Sequence, residues 1–254
     1  QPRSRQVVNL SGDESEQERK MSFLTAGGVV AVHAEGRDRT AIWNAMERRE
    51  VYGTSGHRML LWFDLLHDTG EPVPMGSELT TASVPSFEVT AVGSFKQLPG
   101  CPEYVSQAVD ARRLDKLAQG ECYHPSDERY LIDRIEVVRI RPQAAPDEPI
   151  ASLVEDVWRT FACEPDPAGC TVEFSDEEFP ASARDAVYYV RAIEEPSPTV
   201  NGGNLRPEYD DQGRVIAVNP CYGDFRVASD DNCHASLEHR AWSSPIFLNF
   251  DPGH

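Results

Sequence analysis

The feature that most constrains the fold is the texture of the chain after Gly56, where short apolar runs are separated by clusters of Pro, Gly and Asp. Around 87–91, Phe87, Val89 and Ala91 alternate with Glu88 and Thr90, and a side-chain period of two is that of a strand with one buried face. Further strands are expected at 131–140, 171–174, 186–193 and 246–250, and short strands with turn signals between them point to a mainly β, antiparallel, sandwich-like domain. Val154, Val157, Trp158 and Phe161 also fit one face of a helix, so that segment stays open.

Ahead of this texture, 1–22 has no periodicity and reads as a flexible lead-in. Val29-Val30-Ala31-Val32, following Gly27-Gly28, reads as a buried strand. Asp38 suits the N-cap of a helix over 40–49, in which Ala41, Ile42, Ala45 and Met46 share a face and Arg48 and Arg49 sit in the last turn. The resulting organisation is a lead-in at 1–22, an α/β segment at 23–57 and a β domain at 58–254. Within the last, 194–232 is expected to be a long ordered loop. The chain starts at Gln1 in a polar segment of mixed charge and reads as an excised or processed piece of a longer protein.

Six cysteines fall into three local couples, Cys101 with Cys122, Cys163 with Cys170 and Cys221 with Cys233. Three disulfides are the expected pairing, each worth roughly 2.5–3.5 kcal/mol in the chain-entropy model. A zinc site competes, but no Cys-x-x-Cys pair is present, and His124 and His234 beside cysteines do not supply four convergent ligands. Disulfides imply a periplasmic or secreted protein. A formal net charge of −18 argues against nucleic-acid binding. No run approaches the ~18 apolar residues of a membrane span.

The segment Glu50-Val51-Tyr52-Gly53-Thr54-Ser55-Gly56-His57-Arg58 is a hydroxyl-rich turn that gathers backbone N–H groups, two hydroxyls and a cation in a small volume, which suits an anionic ligand. The competing reading is a tight turn with its hydroxyls bonded to backbone and Arg58 paired to a surface acid.

Several motifs carry a family resemblance. Gly27-Gly28-Val29 through Ala34-Glu35, Ala41-Ile42-Trp43-Asn44-Ala45-Met46-Glu47-Arg48-Arg49-Glu50 and Tyr52-Gly53-Thr54-Ser55-Gly56-His57-Arg58 occur in that order. They are followed by Tyr188-Tyr189-Val190-Arg191-Ala192-Ile193-Glu194-Glu195-Pro196, Asn201-Gly202-Gly203-Asn204-Leu205-Arg206, Asn219-Pro220-Cys221-Tyr222-Gly223-Asp224 and Arg240-Ala241-Trp242-Ser243-Ser244-Pro245-Ile246. From about Leu24 to Phe250 the chain resembles the C-terminal part of domain-of-unknown-function family 3604 (DUF3604), a relative of the polymerase-and-histidinol-phosphatase (PHP) metallohydrolases. His33 stands where an aromatic residue is common in that family, and His57 where proline is common.

The resemblance implies a metal-dependent hydrolase of phosphoester or related bonds whose histidine and acid ligands lie upstream, in a barrel-like domain. Neither His-x-His nor Asp-x-His occurs here, so no metal ligand is expected in this fragment and divalent metal ions belong to the full-length protein. The 23–57 segment would be the end of the PHP-like barrel. The chain would shape the substrate cleft and be inactive alone, its partners being the upstream domain and a small anionic substrate. Thr54, Ser55, Gly56 and Arg58 are the candidate substrate-binding wall, with Asn204 and Arg206 as a second wall. The alternative from another class is a non-catalytic sandwich that binds carbohydrate or a protein partner, marked by exposed aromatics grouped on one sheet face.

Other positions read as structural. Arg191 interrupts an apolar strand and needs an ion-pair partner or solvent. His33 and Glu35 share a strand face through the two-residue repeat. Asp210-Asp211 and Asp230-Asp231 lack the spacing of a calcium loop. Ser55 as a nucleophile lacks a base that the order of residues could name.

Overall fold

A computed structural model describes residues 27–66, 70–118, 122–200, 207–218 and 234–253. The chain divides into two compact units, one holding Gly28–Ser94, Glu128–Glu195 and His239–His254, the other Phe95–Asp127 and Pro196–Glu238.

In chain order the elements begin with β1 (Val29–Val32), α1 (Arg39–Glu47), β2 (Val51–Thr54), β3 (Leu60–Leu66), β4 (Val73–Pro74), β5 (Glu78–Thr81) and β6 (Ser86–Val92). Next come β7 (Phe95–Pro99), α2 (Glu103–Ala108), α3 (Ala111–Ala118), β8 (Tyr123–Arg129), β9 (Ile132–Ile140), β10 (Val154–Ala162), β11 (Cys170–Ser175), α4 (Phe179–Ser182) and β12 (Ala186–Glu194). The last are β13 (Ser197–Val200), β14 (Pro207–Tyr209), β15 (Val215–Val218), β16 (His234–Leu237), β17 (Arg240–Ser243) and β18 (Ile246–Phe250).

The first unit is a two-sheet antiparallel sandwich, and the described residues form no barrel. The larger sheet runs β1-β2-β17-β12-β18-β5, with β9 added to β12 and β10 to β9; the smaller runs β11-β6-β3-β4. Its pairs are antiparallel except β18 with β5. The alternation at 87–91 holds, with Phe87, Val89 and Ala91 fully buried. Phe87 lies 5.5 Å from Phe63 and 5.0 Å from Phe174 in its own sheet, and 4.8 Å from Tyr188 in the other. Burying each such ring contributes about 2–3 kcal/mol, and offset aromatic contacts fix how the two faces interlock.

The open segment at 154–161 is strand: β10 pairs with β9, and its edge position leaves Val154 and Val157 exposed. α1 is capped as expected, Asp38 Oδ1 accepting from Thr40 and Ala41 N–H at 2.9 and 3.0 Å. Two expectations need correction. β1 is the end strand of its sheet and Val30 is 69% exposed, so the run is not a buried strand. Of the apolar face of α1 only Ala45 is fully buried, with Ile42 and Met46 exposed, so the helix seats itself through a small residue. The α/β segment is continuous with the sandwich, because β2 pairs with β17.

In the second unit β7 pairs with β8, and β13 with β16, β14 with β15. The described parts of the expected 194–232 loop are therefore largely hairpin strands. The disulfides Cys101–Cys122 and Cys163–Cys170 are formed; the expected Cys221–Cys233 bond lies outside the described residues. Among the described residues no helix is long and apolar enough to cross a membrane.

Candidate functional site

The 55–58 turn leaves β2 and enters β3 under several fixed constraints. Tyr52, buried in the core, donates its hydroxyl to Met59 O at 2.9 Å, which ties the two strands across the turn. Thr54 Oγ1 accepts the Gly56 N–H at 3.2 Å. Gly56 has φ +126°, a conformation that costs a side-chain-bearing residue strain. Ser55 extends the β2–β17 ladder: its N–H donates to Arg240 O at 2.9 Å, and its Oγ accepts from Arg240 N–H at 3.0 Å.

The Ser55 hydroxyl is also hydrogen-bonded to His239 Nδ1, 2.9 Å away. His239 is buried. Burial first, and then the neighbouring His57, push its pKa down to about 4, so the ring is neutral at physiological pH.

His57 is held separately. Its Nδ1 lies 2.5 Å from Glu194 Oε2, and the side chain of Glu194 is entirely buried. The other carboxylate oxygen of Glu194 accepts the Ser94 N–H at 2.6 Å. Ser94 is placed there by Gly93, where a Cβ would come within 1.8 Å of Tyr130 O. Tyr130 N–H donates to Ser94 O at 2.9 Å, and Arg129 Nη1 donates to Gly93 O at 2.6 Å. The His57 ring stacks on His239, centroids 3.5 Å apart with planes 15° from parallel, and on Tyr130 at 4.9 Å and 25°. Glu194 closes the frame through its N–H, which donates to His239 O at 2.9 Å.

The sequence-derived candidates therefore divide. Thr54, Ser55 and Gly56 come together, but the Gly56 N–H is engaged by Thr54 Oγ1 and the Ser55 hydroxyl by His239 and Arg240. Arg58 is exposed and has no ion-pair partner among the described residues. Asn204 and Arg206, the proposed second wall, lie outside the described residues, as does Asn201. Arg191 has its ion pairs, with Glu136 at 3.0 Å and with Asp156. His33 donates Nε2–H to Leu61 O at 2.8 Å, a structural role.

Sequence reading missed His57, Glu194 and His239 as a set. One signal was available: Tyr188, Val190 and Ala192 point into the core, and Glu194 continues that phase, so an acid stood at a core position. The base that Ser55 lacked is present as His239, although a ring whose pKa is pushed so low is a weak proton acceptor at neutral pH.

A divalent metal does not fit this cluster. Imidazole nitrogens bind a metal within their ring planes at about 2.0–2.1 Å, whereas the two rings lie nearly parallel and 3.5 Å apart. One nitrogen of each is also already hydrogen-bonded. Among the described residues no group of three or more His, Cys, Asp or Glu could hold a metal ion. The carbohydrate-binding alternative calls for grouped aromatics. The exposed aromatic rings are Trp43 on α1 and Trp62 on β3 in the first unit, and Phe95 on β7, Tyr104 on α2, Tyr123 on β8 and Tyr209 on β14 in the second.

The sequence model of DUF3604, a family described as proteins of unknown function, matches residues 2–97. This supports the family resemblance over β1, α1, β2 and the turn; the motifs between 188 and 246 lie beyond the matched span. No curated protein and no solved structure matches the chain.

Proposed function

We propose that this chain is the C-terminal portion of an extracytoplasmic, PHP-like metal-dependent hydrolase of phosphoester or related bonds, with the 54–58 turn as one wall of its substrate cleft. The observation that carries the reading is the exposed Arg58 guanidinium, held on a turn whose other groups are spent on fixing it, inside the segment that matches DUF3604. A rigid turn that spends its hydroxyls internally and leaves a planar cationic fork outward has the form of an oxyanion contact.

On this reading the metal ligands lie upstream, in a PHP-like barrel domain, and β1, α1 and β2 belong to the sandwich that follows it. The present residues bind and orient a small anionic substrate. The two disulfides among the described residues favour an oxidising compartment outside the cytoplasm. The test compares the complete gene product with the 254-residue chain on a panel of phosphomonoesters and phosphodiesters. The complete protein should hydrolyse at least one of them in a way that a chelator abolishes, and the chain alone should not. Hydrolysis by the chain alone in chelator, or none by the complete protein, would overturn the proposal.

A further inference from the structure

We infer that His57 offers its Nε2 edge to a phosphoryl-type oxyanion, in a site it shares with Arg58. This rests on the reading of the turn as a cleft wall and names the ligand chemistry of that wall.

Three sides of the ring are accounted for. Nδ1 is bonded to Glu194, and the neighbouring rings of His239 and Tyr130 lie against it nearly parallel. The His57 side chain is nevertheless 25% exposed, and the edge without a hydrogen-bond partner among the described residues is the one that carries Nε2. A carboxylate fixing one imidazole nitrogen so that the other meets a ligand is how histidine is made to present a single defined nitrogen. The carboxylate itself has no freedom, because Glu194 is wholly buried and its second oxygen is held by the Ser94 N–H.

If His57 served only to neutralise a buried acid, that end would be met by any arrangement that buried both groups. Here the ring keeps an open edge, and the next residue, Arg58, is exposed without an ion-pair partner among the described residues. A phosphoryl oxygen can share one proton with Nε2 whichever partner carries it, while Arg58 supplies permanent charge and a bidentate fork. On a chain of net charge −18, such local pairing is what an anion requires.

The experiment follows the imidazole nitrogens of the ¹⁵N-labelled chain by long-range ¹H–¹⁵N correlation while inorganic phosphate or acetate is added. Phosphate should shift His57 Nε2 saturably, and acetate should shift it far less. His57→Gln and Arg58→Ala should each weaken phosphate binding at least about fivefold, near 1 kcal/mol. Arg58→Ala leaves the buried cluster intact, so it remains informative if His57→Gln disturbs folding. Absence of a saturable shift, an equal response to acetate, or unchanged affinity in Arg58→Ala would overturn the inference. Failure of the hydrolase reading would instead show as inactivity of the complete gene product, which this measurement does not use.

Discussion

His239 is the residue on which the shape of the turn depends most directly. It is hydrogen-bonded to Ser55 and stacked on His57, and protonation would place a positive charge in a buried site against that ring, 3.5 Å away. An unfolded histidine titrates near 6.5, whereas here the value is pushed down to about 4. Between these values the unfolded chain binds the proton and the folded chain does not. The stabilisation is therefore full above about pH 6.5 and is lost as pH falls towards 4, with a total on the order of 3 kcal/mol. His239→Asn keeps an acceptor near Nδ1 and removes the titration. Urea midpoints measured from pH 7 to pH 4 should fall more steeply for the native chain than for this variant. Parallel curves would show that His239 does not set the acid sensitivity.

At the scale of elements, the sandwich is fastened by an ionic group inside its core. Arg139 on β9 is 2% exposed. It donates to Glu155 at 2.6 and 2.9 Å, to Asp176 at 2.8 Å and to Glu178 at 2.8 Å, with its guanidinium 4.3 Å from the Trp158 ring. Tyr188 donates its hydroxyl to Asp176 at 2.6 Å, which links β12 to the segment leading into α4. Replacing Arg139 by Met would strand a buried carboxylate, at a cost of about 3–5 kcal/mol. Urea unfolding should register that loss, with Arg139→Lys recovering only part of it; a loss below about 1 kcal/mol would mean water enters freely. Little of this network was legible in the sequence, because the alternation of β9 gives no reason to bury an arginine until its partners on two other segments, β10 and the stretch leading into α4, are known. The strands themselves were legible wherever one face is buried, as at 87–91 and 246–250. The sequence could not decide 154–161, because an edge strand exposes residues on both faces and loses the two-residue period.

For the molecule as a whole, the site was half legible. The turn stood out by composition, and its match to DUF3604 covers the same residues. The groups that hold it, Glu194 and His239, come from strand ends 137 residues or more away in sequence, and only the paired sheets bring them together. What the assembled frame leaves for a ligand is Arg58 and one edge of His57. Steady-state kinetics of Arg58→Ala in the complete gene product, on an anionic phosphoester that the native protein hydrolyses, test this most directly. The account predicts kcat/KM lower by roughly 10-fold or more, the ~1.4 kcal/mol or greater that losing a charge-assisted contact implies. Kinetics identical to those of the native protein would contradict it.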